Sequence, residues 1–243
     1  MTSMSWTWQS AEETHRGKRR KNNEDALLSR PEAGLWAVAD GMGGHHAGDV
    51  ASLAIATGLA ELTLDGSLAD DVDLVEDKLR EVNDCLRLHA HVECQGGTVG
   101  STVVAMLSRG DVGAVLWAGD SRLYRLRGFN LEQITRDHNP ISDLLDVGGV
   151  SEADALAADT NIITRAVGSQ LELFLDVAVF GVEAQDTYLL CSDGLYRELD
   201  TCDLVEALRG EVLKASARDL LQKCLAGAAR DNIALIVARP DVR

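Results

Sequence analysis

Aromatic side chains are scarce: Trp, Tyr and Phe together make up 4% of the 243 residues, so a core has to be built mainly from Leu, Val, Ala and Ile. Paired cysteines are missing too. Cys85, Cys94, Cys191, Cys202 and Cys224 are odd in number and share no spacing, which suits a reducing cytoplasm better than a disulfide framework. Cys191 lies inside an apolar run and reads as core filler. No apolar segment approaches the roughly 20 residues of a membrane span, and no low-complexity tract or repeat breaks the chain. Basic charge is also short: 23 Lys and Arg stand against 39 Asp and Glu, a formal net charge of −16, so a nucleic-acid partner would be repelled. The one basic run, Arg16 to Lys21, continues into Asn22, Asn23, Glu24 and Asp25 rather than into an apolar stretch, unlike a targeting peptide. These absences leave a soluble, cytoplasmic chain of a length that fits one large domain. Its 46% hydrophobic content excludes disorder.

What is present is a recurring plan. The apolar run Leu35 to Ala39 stops at Asp40 and Gly41; Val115 to Ala118 stops at Gly119 and Asp120; Tyr188 to Cys191 stops at Ser192, Asp193 and Gly194. Asp231 and Asn232 come just before the apolar run Ile233 to Val237, the mirror arrangement. Any one of these acids reads as a turn residue or a strand-entry cap. Four of them at strand ends could meet along one edge of a sheet system, where like charges repel unless a cation sits among them.

The periodicities predict α+β. Met1 to Ser10 alternates with Trp6 and Trp8 on one face; Ala26 to Ser29 and Leu35 to Ala39 are strands joined by a turn at Pro31 to Gly34. Gly48 to Leu64 turns helical, with Val50, Leu53, Ala54, Thr57 and Gly58 on one face. Val72, Val75, Leu79, Val82 and Leu86 step by threes and fours in a helix from Asp71 to about Glu93. Thr102 to Leu107, Val112 to Ala118 and Leu123 to Leu126 read as consecutive antiparallel strands, extended by Leu131 to Thr135. Asp137 to about Gly168 is polar, broken by Pro140, Gly148 and Gly149, and reads as an excursion that touches substrate. Strands return at Leu173 to Phe180 and Thr187 to Cys191. Helices follow at Thr201 to Leu208 and Ala215 to Leu225, and Ile233 to Ala238 closes the chain. Strands and helices come in blocks, without βαβ alternation.

Glu24, Asp25, Asp40, Asp120, Asp193 and Asp231 form an oxygen-only ligand set with no His or Cys at ligand spacing, which favours Mg²⁺ or Mn²⁺ over zinc or copper. With several acids and hydrated ions, two cations could flank a water and hold it as hydroxide for in-line attack on phosphorus. Arg20 could clamp phosphoryl oxygens, or be one more solvated charge in a basic run.

Gly17 to Asp25, Val38 to Gly44, Gly100 to Thr102, Ala118 to Arg122, Thr135 to His138, Ile163 to Gly168, Leu190 to Leu195 and Asp231 to Ile233 follow the order of one family. The chain resembles the metal-dependent protein phosphatases of the protein phosphatase 2C type in their compact bacterial form, over nearly its whole length. The resemblance implies a four-layer αββα sandwich, two antiparallel sheets flanked by helix pairs, as a single catalytic domain of residues 1–243 with a variable flap at about 137–168. It implies that Asp40, Asp193 and Asp231 hold a first Mn²⁺ or Mg²⁺, mostly through water. Glu24, Asp40 and the Gly41 carbonyl would hold a second, and Asp120 with Asp193 a weaker third. Asp25 would orient metal waters, and Arg20 would grip the substrate phosphate. Met42 stands where some members have a His read as general acid, and a water on the metal would take that role. His45 and His46 read as surface residues, and His138 as structural. The implied activity is hydrolysis of phosphoserine and phosphothreonine in proteins by a monomer that opposes a bacterial Ser/Thr kinase, with a weaker resemblance to phosphatases of secretion-system regulation. Two alternatives stand beside it: an inactive binding module on the same scaffold, and a phosphatase dedicated to an anti-sigma-antagonist-like protein.

Overall fold

Alternating burial along β3 (Leu35–Gly43) shows how the layers are built. Leu35, Ala37 and Ala39 join one buried cluster, while Trp36 and Val38 join another. A strand buried on both faces sits in the middle of a stack. The computed structural model describes residues 6–43, 47–94, 97–142 and 162–242. In a six-stranded sheet, β2 (Asp25–Arg30), β3, β5 (Val103–Arg109), β6 (Val112–Ala118) and β9 (Asp176–Gly181) lie in line, and β4 (Val99–Ser101) pairs with the end of β3. A five-stranded sheet runs β1 (Trp6–His15), β11 (Ile233–Val242), β10 (Thr187–Cys191), β7 (Arg122–Arg127) and β8 (Asn130–Gln133). Every ladder is antiparallel.

Between the sheets pack Trp36, Val104, Met106, Leu123, Tyr188 and Ile236. Trp8 closes that layer, its ring 4.7 Å from Trp36 and 5.7 Å from Tyr188. On the outer face of the six-stranded sheet, α1 (Ala47–Ala60) and α2 (Leu68–Glu93) contribute Ile55, Leu59, Val75 and Leu79. On the other side, α4 (Thr201–Leu208) and α5 (Leu213–Ala226) bring Leu208, Leu220 and Cys224 against Leu189 and Leu235. A single turn, α3 (Asp193–Tyr196), follows β10. This is the expected αββα sandwich. No helix among the described residues is long and apolar enough to cross a membrane.

Several expectations shift. Among the described residues β1 covers Trp6 to His15, its register with β11 carrying it past Ser10, and the expected first residues, 1–5, lie outside the described ones. β3 does not stop at Asp40; it leaves β5 after Val38 and pairs Gly41 to Gly43 with β4. β6 and β7 are not neighbours, since Gly119 to Ser121 carries the chain from one sheet to the other. Helix α1 ends at Ala60 and buries Gly48, Ala51, Ser52, Ile55 and Leu59, leaving Val50 and Leu53 exposed. Its small residues allow close approach to the sheet, and that packing overrides the wider apolar stripe. Helix α2 begins at Leu68 behind a capping box of Ser67 and Asp70. Most of the expected flap, residues 143–161, lies outside the described residues, as do His45 and His46.

The inward face of α1 has a direct measure. Ile55→Ala is expected to cost about 2–5 kcal/mol in denaturant unfolding, whereas Leu53→Ser should stay within about 0.5 kcal/mol.

Candidate metal centre

The hairpin register of β2 and β3 sets Asp25 directly opposite Asp40. Like charges facing each other across an antiparallel pair are destabilising, so this placement is costly before any other acid is counted. The backbone around Asp40 is pinned. Its N–H donates to Thr102 Oγ1 at 3.1 Å, and its carbonyl accepts from Thr102 N–H at 2.9 Å and Ser101 Oγ at 2.9 Å. Gly41 N–H donates to the Glu24 carbonyl at 3.0 Å. A Cβ on Gly41 would lie 2.0 Å from Gly48 O and 2.6 Å from Glu24 O, so only glycine lets the Glu24 segment and α1 close on the strand.

Two acids arrive from the other sheet. Asp193 opens α3, one residue after Ser192. The Ser192 hydroxyl donates to Asp25 Oδ2 at 2.9 Å and accepts from Ala234 N–H at 3.0 Å, which ties both sheets together beside the acids. Asp231 precedes β11 and pairs with Arg20, whose Nη2 lies 2.7 Å from Asp231 Oδ2. Asn232 holds the loop that bears Arg20 and Glu24. Its Oδ1 accepts from Glu24 N–H at 2.9 Å, and its Nδ2 donates to the carbonyls of Arg16 and Asn22.

Asp120 sits at the crossover between sheets, 2% exposed. Tyr196 O–H donates to its carbonyl oxygen at 3.0 Å, and Arg197 approaches its Oδ2 at 3.2 Å. His138 is buried, stacks on Trp117 and accepts from Gly119 N–H at 3.0 Å through Nδ1. Its Nε2 lies 3.2 Å from Asp176 Oδ2, so it shapes the turn and is paired with an acid outside the predicted ligand set. Arg197, Asn232, Ser192 and Thr102 hold the site together although the sequence alone assigns them no role in it. The signal for Asn232 was its place between Asp231 and the strand; for Arg197, its spacing of four from Asp193.

The structure therefore brings Asp25, Asp40, Asp120, Asp193 and Asp231 into mutual electrostatic reach. Burial first, then the charges of Asp25, Asp193, Asp120 and Asp231, hold the Asp40 carboxyl well above its ordinary range. Burial also raises Asp25 to about 7 against the hydrogen bond from Ser192, and Asp193 to about 6 against the charge of Arg197. Asp25 Oδ1 is buried with no hydrogen-bond partner. Among the described residues, no three His, Cys, Asp or Glu side chains are drawn together as a ready ligand set. Asp40 is instead hydrogen-bonded to the side chains of Asp25 and Asp193, while Arg20 and Arg197 pair with the outer acids. An oxygen-only, over-charged group of this kind fits hard divalent ions that keep much of their water.

These shifts fix a sign. Asp25 and Asp193 hold protons in the fold that the unfolded chain releases near pH 4, so the folded metal-free state is favoured at low pH and weakened as pH rises toward 7. In chelator, the melting temperature is expected to fall between about pH 5 and 7.5 through this group of acids, and Asp25→Asn should flatten that slope, read by thermal scans across pH.

Residues 13–228 match the family model described as protein phosphatase 2C. The chain is 35% identical over 230 residues to the serine/threonine protein phosphatase PstP of Mycobacterium tuberculosis, covering 94% of this chain and 44% of that protein. It thus spans less than half the length of that relative. It is 32% identical over 238 residues to the serine/threonine phosphatase stp of Listeria monocytogenes, covering 94% of each. The solved catalytic domain of PstP, in complex with 2 manganese ions, superposes with a TM-score of 0.85 at 33% identity, covering 98% of this chain and 100% of that one. PppA, described as a key regulatory component of T6SS in Pseudomonas aeruginosa, superposes with a TM-score of 0.88 at 42% identity, covering 98% and 99%. Sequence, fold and the order of the acids agree: the chain belongs to the protein phosphatase 2C family.

Proposed function

We propose that the chain is a metal-dependent serine/threonine protein phosphatase that hydrolyses phosphoserine and phosphothreonine monoesters in proteins and opposes a Ser/Thr kinase. The observation that carries this reading is the packing of Asp25, Asp193, Asp120 and Asp231 around the buried Asp40 carboxyl, an arrangement that strongly disfavours ionisation without cations. The names of the relatives support the substrate class. The 2 manganese ions in the PstP catalytic domain support Mn²⁺ or Mg²⁺. An inactive module is not favoured, since the sequence carries each expected acid, and the relatives' names do not favour a phosphatase dedicated to one anti-sigma-antagonist-like protein.

In this reading Asp40, Asp193 and Asp231 would hold one ion, and Glu24, Asp40 and the Gly41 carbonyl a second, partly through water. Such ions, when bound, acidify a water and offset the charge of the phosphate. The protein's own groups do the positioning. Arg20 is half-exposed and uses Nη2 on Asp231, which leaves guanidinium donors for two phosphoryl oxygens. Asp25, fixed by Ser192, orients water beside Asp40. Met42 can carry no proton, so a water acidified by a bound ion would serve as the acid for the leaving alkoxide. We read residues 1–243 as one catalytic domain working as a cytoplasmic monomer, with a variable flap at about 137–168. The likeness to PppA supports a place in the regulation of a secretion system.

Hydrolysis of p-nitrophenyl phosphate and of a phosphothreonine peptide tests this. Activity is expected with Mn²⁺ or Mg²⁺ and to vanish in chelator. Asp193→Asn should lower kcat by about 100-fold or more, since even partners outside the ligand sphere cost 10–100-fold. Arg20→Ala should raise KM by about tenfold or more, the loss of its charge-assisted hydrogen bonds to the phosphate. Metal-independent turnover would contradict the proposal.

A further inference from the structure

Arg197 lies between two acids that reach the site from different directions. It follows α3, and its guanidinium spans the gap from the crossover turn to the end of β10. Nη2 is 3.2 Å from Asp120 Oδ2, and Nε is 3.1 Å from Asp193 Oδ2. The Asp120 side chain is 3% exposed and that of Asp193 14%, so neither carboxylate can rely on bulk water for its counter-charge. A planar guanidinium with donors along two edges can serve two carboxylates at once, which a lysine ammonium does less well.

The support behind this bridge is built in. Tyr196 O–H donates to the Asp120 carbonyl oxygen at 3.0 Å and reaches Oδ2 at 3.3 Å. The Tyr196 ring is covered by Arg122, whose guanidinium carbon lies 3.6 Å from the ring centroid. Arg122 in turn is fixed by a bidentate pair with Asp137, at 2.9 and 2.7 Å. Asp120 Oδ2 therefore faces two donors, while Oδ1 is buried with no hydrogen-bond partner. A divalent ion joining Asp120 and Asp193 would have to share both carboxylates with a guanidinium already in contact with them, and the two cations would repel at short range.

We propose that Arg197 is the resident cation of the Asp120–Asp193 pair: it neutralises the two carboxylates and excludes a further divalent ion from them, confining ion loading to the group around Asp40 and Asp231. This rests on the metal-dependent reading above and replaces the third ion expected at Asp120. The role is one of positioning and exclusion, acting through the two acids and not on the substrate.

The test is an Mn²⁺ titration of the full chain by calorimetry, with wild type, Arg197→Met and Asp120→Asn compared. Wild type is expected to take up two ions. Arg197→Met, which keeps the aliphatic volume and removes the charge, should take up one more, weaker ion. Asp120→Asn in the wild-type background should leave the count unchanged, and this variant decides the matter if Arg197→Met does not fold. In chelator, Arg197→Met should melt below wild type and gain more from added Mn²⁺. Loss of one ion in Asp120→Asn, or an unchanged count in folded Arg197→Met, would overturn the proposal while leaving the metal-dependent reading intact. Wild type that binds no Mn²⁺ would overturn both.

Discussion

Repulsion among buried carboxyl groups is the constraint on which this molecule depends. A buried acid with a purely structural duty looks different in the same chain. Asp186 accepts from Arg127 through both carboxylate oxygens, from Tyr188 O–H and from Glu183 N–H. Although burial opposes ionisation there, those bonds win and hold its carboxyl below the ordinary range. Around Asp40 the balance is reversed: burial and the neighbouring acids both push upward. One acid is satisfied by the fold, and the other group is left for ligands that the polypeptide does not supply.

The sandwich is what makes this concentration of charge tolerable. Because β3 is buried on both faces, a slip of one residue would turn its apolar set inside out, so the register that sets Asp25 against Asp40 is held by the whole core. Ser192 and Asn232 then fasten elements of different origin to one another: the hydroxyl joins β2, β10 and β11, and the amide holds the Glu24 loop to the start of β11. Arg20 and Arg197 bring positive charge to the outer acids. The negative surface implied by a net charge of −16 makes such local cations more valuable still to a site already crowded with acids.

Much of this was legible before any coordinates. Helix α4 begins and ends where its pattern says, at Thr201 and Leu208, because strong amphipathic contrast sits behind an Asp200 cap. The acids were legible because each interrupts an apolar run, and recurrence outweighed the turn reading of any single one. What sequence leaves open has at most a weak local signature. The passage of Gly119 to Ser121 from one sheet to the other decides where Asp120 points, yet the residues are those of an ordinary tight turn. Helix α1 turns a different face inward from the one its sequence suggests, because Val50 and Leu53 outweigh Ala51 and Ser52 in apolar character, yet Gly48, Ala51 and Ser52 are the residues buried beside Ile55 and Leu59. Arg197 has its partner Asp120 77 residues away, and only the folded chain makes that pair.

The most direct measurement is anomalous diffraction at the manganese edge from crystals soaked in Mn²⁺. The account predicts difference peaks in the space bounded by Asp40, Asp193, Asp231 and Glu24. Peaks elsewhere, or an Asp40 neighbourhood that stays empty of manganese at saturating concentration, would contradict it.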